Sequence, residues 1–83
     1  MNIDLKEEVR RAVAMEWSAF AARHPNLAGV LDERLLVDGA MQNLGDDPEY
    51  LEAMTTASSI GAGAEVVTGI IERCVRRWLW KLV

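Results

Sequence analysis

The sequence predicts an all-α fold, a small antiparallel bundle of three to four helices. Two observations carry this: apolar residues recur at three- and four-residue steps along most of the chain, and no segment alternates with period two for long enough to make a strand. A third is punctuation, because Pro25, Pro48 and Gly61 fall between the periodic stretches. With 83 residues and no internal repeat or linker, the chain reads as one helical domain, 1–83.

The first helix is expected over about 4–23. Leu5, Val9, Ala12, Val13, Trp17 and Phe20 form its stripe, and Asp4 with Glu7 stands ahead of it as a variant capping box. Pro25 pushes His24 out of the α region and ends the helix. Asn26 then caps a second helix over about 27–44. Its stripe of Leu27, Val30, Leu31 and Leu35 drifts to Val37, Met41 and Leu44. A helix-interior glycine costs about 1 kcal/mol relative to alanine, so a break near Asp38–Gly39 is the alternative to a continuous helix.

Gly45 suits a C-cap, and Asp47-Pro48-Glu49 is a start signal: an N-cap, a proline at the first helical position and an acid in the first turn. The third helix, about 48–60, carries Tyr50, Leu51 and Met54. From Thr55 to Ala64 the only large side chain is Ile60, and Gly61 with Gly63 reads as a turn. The alternative is a continuous helix with small residues at Ala57/Gly61 and Ser59/Gly63. The fourth helix, about 64–82, has the widest stripe, from Val67, Ile70, Ile71, Cys74, Val75, Trp78, Leu79 and Leu82. Arg76, Arg77 and Lys81 lie in its last turns, where they complement the helix dipole.

Composition limits the chemistry. Apolar residues make up 51% of the chain, but 11 of them are alanines, so the core is lean and association with another chain would help it. A single Cys excludes a disulfide framework, and a single His excludes the usual zinc spacings and His-containing triads. A net charge of −4 and a pI near 4.8 argue against a nucleic-acid binder. The charge is unevenly spread, with the acidic middle facing a basic end where Arg73, Arg76, Arg77 and Lys81 cluster. No secretory leader or membrane span is expected: the longest uncharged run, 53–64, is rich in Gly, Ser and Thr. An isolated thiol fits a reducing, cytoplasmic setting.

Each chemically capable residue has a plainer role in this reading. His24 is expected as an exposed helix-end side chain, and Cys74 as an inert core thiol between Ile71 and Val75. Asp32, Glu33, Asp38, Asp46, Asp47, Glu49 and Glu52 lack the spacing of a calcium loop or a di-iron bundle and are read as caps and solvated faces. Glu16, beside Val13, Trp17 and Phe20, is expected at the edge of the stripe with its head in water, or else in a buried ion pair. Gly61-Ala62-Gly63 fails as a phosphate loop, having neither a following lysine nor a preceding strand. No catalytic residue, metal, cofactor or small-molecule substrate is expected.

Binding is the remaining reading. On the helical wheel Trp80 falls beside Arg73, Arg76 and Arg77, where a monomer would leave it wet. Trp and Arg dominate interface hot spots, so Trp78, Trp80, Leu82, Val83, Arg73, Arg76 and Arg77 form the candidate interface. Asp46, Asp47, Glu49 and Glu52 form a candidate acidic face that would attract it. Stacking of an arginine over the Trp80 indole within one chain is the competing reading. The expected function is a non-enzymatic interaction module that self-associates as a homodimer or higher assembly and could take another protein. The alternatives are a peripheral membrane-interface protein using the Trp/Arg helix, and a small acidic inhibitor whose carboxylates mimic nucleic-acid phosphates.

Overall fold

A computed structural model describes residues 4–82 as five helices packed on one core. Helix α1 (Leu5–Arg23) is capped by Asp4, whose side chain accepts the Glu7 backbone N–H at 3.3 Å. It ends at His24, immediately before Pro25, as the proline requires. Its buried face is Val9, Ala12, Val13 and Phe20, with Leu5 and Trp17 of the expected stripe half-buried against the same core.

The expected second helix is corrected. It is broken, at Gly29–Asp32 rather than at Gly39, into a single turn, α2 (Pro25–Ala28), and a longer helix, α3 (Glu33–Asp46). The α2 turn begins at Pro25, so Asn26 lies inside it and is not its cap. The break follows from Asp32, which is extended at φ −96°, ψ 130° and accepts the Arg34 N–H at 2.8 Å, with Glu33 in the first turn behind it. That local cap competes with continued helix and wins. Val30 and Leu35, expected on the stripe, stand 77% and 65% exposed, whereas Val37 and Leu44, also on it, are buried as expected, together with Leu36 and Ala40.

Gly39 is tolerated inside α3 because its missing side chain makes room for Trp78: a Cβ there would lie 3.0 Å from the indole ring. Gly45 is helical and not a C-cap. That place falls to Asp47, which also N-caps α4 (Pro48–Ser59) by accepting the Glu49 and Tyr50 N–H groups at 3.0 and 3.4 Å. The glycine turn is present as expected. Gly61 takes φ +65°, Ala62 N–H donates to Ala57 C=O at 2.9 Å, and Gly61 N–H donates to Ser58 C=O at 3.2 Å. This pair of bonds is the Schellman closure that needs a left-handed residue.

Helix α5 (Ala64–Trp80) buries Val67, Ile70, Ile71, Cys74, Val75 and Leu79. It is the central element, packing on α1, α3 and α4, while α1 also packs on α3 and α4 on α3. One face of α5, between the flanking α1 and α4, is left to solvent: Glu65, Val66, Gly69, Arg73 and Arg76 are all exposed there.

Candidate interaction surface

Trp80 is not wet. It closes over the end of α1, its ring 5.4 Å from Phe20 and 6.2 Å from His24, with the Arg23 guanidinium 5.4 Å above it. Its indole N–H donates to Glu16 Oε2 at 3.2 Å, and Arg76 Nη1 lies 4.0 Å from Glu16 Oε1. An arginine therefore does stack on this indole within one chain, but it comes from α1. The helical wheel missed this because it places Trp80 relative to its own helix and is blind to how far α1 extends beside it. His24 is corrected as well: it is half-buried, with its ring 5.4 Å from Phe20. Trp78 is half-buried against Gly39, Leu82 is 46% exposed beyond the end of α5, and Val83 lies outside the described residues.

The acidic face and the basic helix meet inside the chain. Arg77 donates to Asp47 Oδ2 at 2.6 Å and to Glu49, so Asp47 caps α4 with one oxygen and holds α5 with the other. Burial opposes the charge on Arg77, but the Asp47 and Glu49 carboxylates outweigh it and hold the guanidinium above its ordinary pKa. These residues and Trp78 line a concavity of about 440 Å³ that also takes in Asp46 and Lys81. Glu52 and Arg73 lie elsewhere, on the rim of a different groove.

Cys74 and Tyr50 are buried in the core. Cys74 is fully buried, and burial pushes its thiol up, reinforced by the Asp47 and Glu49 charges and opposed by Arg77 and Arg73. Burial likewise raises the Tyr50 phenol. Among the described residues, no three His, Cys, Asp or Glu side chains gather to hold a metal.

The open groove lies between α4 and α5. It measures about 690 Å³, with Ala53, Ala57 and Ile70 along it, Ile60 and Val66 on its edges, and Glu52, Glu65 and Arg73 at its rim. Ile60 is 73% and Val66 50% exposed. The total accessible surface is 5410 Å², about 10% above the roughly 4,900 Å² expected of a compact chain of this mass. In the sequence Ile60 stands in the Gly/Ser/Thr-rich stretch before the glycine turn, and nothing local marks it as part of a surface.

By its fold the protein is a small all-α helical bundle, and among the described residues no helix is long and apolar enough to cross a membrane. Comparisons with protein-family models, with curated proteins and with solved structures found no match.

Proposed function

We propose that this protein is a non-enzymatic interaction module that self-associates as a homodimer or higher assembly in a reducing, cytoplasmic setting, and that its contact surface is the α4–α5 face. The observation that carries the reading is the exposure of Ile60 and Val66 beside an open apolar groove. Large apolar side chains grouped around a concavity mark a docking surface more often than scattered ones do. The tryptophan end supplies less free surface, because Trp80 is engaged by Phe20, Arg23, His24 and Glu16. The burial of Cys74 and the packing of His24 fit a molecule that binds rather than reacts.

Light scattering over a concentration series tests this. A weight-average mass of about 1.8 times that of one chain, or more for a higher assembly, is expected by about 100 μM if the dissociation constant is of order 10 μM. A monomeric mass throughout would overturn the reading.

A further inference from the structure

Along the solvent face of α5, Glu65, Gly69 and Arg73 stand at successive four-residue steps, so an acid and a base are equidistant from a central glycine. All three residues are exposed, and among the described residues neither Glu65 nor Arg73 has an ion-pair partner. Nothing packed against Gly69 within the single chain requires a glycine there. A Cβ built on it meets nothing within 4 Å, whereas one built on Gly39 would press on Trp78. Glycine inside a helix is costly relative to alanine, so an open glycine at mid-helix points to a neighbour that comes close from outside.

We propose that this ridge is a self-complementary docking site for a second copy of the chain, whose α5 crosses it antiparallel on a twofold axis at Gly69. The inference rests on the self-association proposed above and specifies how it is built. A twofold axis at residue 69 places each position opposite the one equally far on the other side, so Glu65 of each copy faces Arg73 of the other. The two charges are separated by about 12 Å along the helix, and both ion pairs form in one arrangement. A partner helix of single charge would satisfy one end of the ridge and oppose the other, so the charge pattern favours a second copy. Isologous twofold contacts are the commonest form of association between identical chains.

Residues four apart form the ridges that interdigitate when helices cross at about 50°, and a glycine at the crossing lets the axes approach to the short end of the usual 8–10 Å. Ile60 and Val66 border the same groove as Gly69 and would be covered by the same contact.

The test uses the full chain and three variants, Glu65→Arg, Arg73→Glu and Gly69→Gln, in sedimentation equilibrium, with folding checked by circular dichroism. All three sites are exposed, so each variant should keep its helical content. Each charge reversal alone should weaken self-association about tenfold, since it turns two attractions into two repulsions. Mixed in equal amounts, the two charge variants should associate as tightly as the unaltered protein, because a ridge that is basic at both ends then faces one that is acidic at both ends. Gly69→Gln should raise the melting temperature of the monomer and yet abolish association. Unchanged association in all three variants, or charge variants that weaken without rescue on mixing, would overturn the proposed pairing while leaving the interaction module in place. An unaltered chain that stays monomeric would overturn both.

Discussion

Trp80 is the sharpest place to perturb the fold, because an exposed residue and a structural one respond so differently there. Truncating a fully packed aromatic to alanine costs about 3–5 kcal/mol. Trp80 is half-buried against Phe20, His24 and the Arg23 guanidinium, so its ring is worth about 2 kcal/mol on the same scale. Its N–H bond to Glu16 adds about 1 kcal/mol, the value for a hydrogen bond to a carboxylate that still sees water. Trp80→Ala should therefore cost about 3 kcal/mol, and Trp80→Phe, which keeps a ring and loses the donor, about 1 kcal/mol. With a urea slope of about 1 kcal/mol per M for a domain of this size, the midpoints should fall by about 3 M and 1 M. The assay is urea denaturation followed by far-ultraviolet circular dichroism, at concentrations where the chain is monomeric. Glu16→Ala should cost about 1 kcal/mol alone but little in the Trp80→Phe background, because the two residues share one bond. A Trp80→Ala variant within about 0.5 kcal/mol of the unaltered protein, as exposed positions usually give, would refute this account of the helix end.

Two further predictions test the joints of the bundle. Asp47→Asn keeps an oxygen that can cap α4 and loses the ion pair with Arg77, so its urea midpoint should change by less than about 1 M, whereas Asp47→Ala also loses the cap and should cost about 2 kcal/mol in total. Cys74 should resist a thiol reagent at about pH 8 in the folded chain and react only as fast as the protein opens. Burial raises its folded pKa, so its contribution to stability is complete below the unfolded value of about 8.5 and is lost as pH rises through the folded one; Cys74→Val should flatten the alkaline fall in stability.

Much of the helical layout was legible because local chemistry decides it. Asp4, Pro25, Asp47-Pro48 and Gly61 act within a turn of themselves, and each marks the boundary expected of it. The break at Gly29–Asp32 escaped because the apolar spacing from Leu27 to Leu35 suits a continuous helix, while the Asp32 cap that interrupts it resembles any surface acid until its partner is seen. Gly39 was read as a cost to its helix, and its use appears only once Trp78, distant in sequence, lies over it. The candidate interface was less legible for the same reason. The spacing assigns Trp80 and Arg77 to a contact with another chain, whereas the structure engages them within their own, Trp80 with Glu16 and Phe20 and Arg77 with Asp47 and Glu49. The Glu65-Gly69-Arg73 spacing carries no signal of its own in the sequence. It acquired meaning only when α1 and α4 were seen to leave that face of α5 uncovered.

The most direct test of where this protein makes its contact is a dilution series of amide nuclear magnetic resonance spectra. The backbone signals of Glu65, Val66, Gly69 and Arg73 should shift with concentration, while the Trp80 indole N–H, already bonded to Glu16, stays in place. Concentration-dependent shifts centred on Trp80 and Leu82, with Gly69 unmoved, would contradict this placement of the contact.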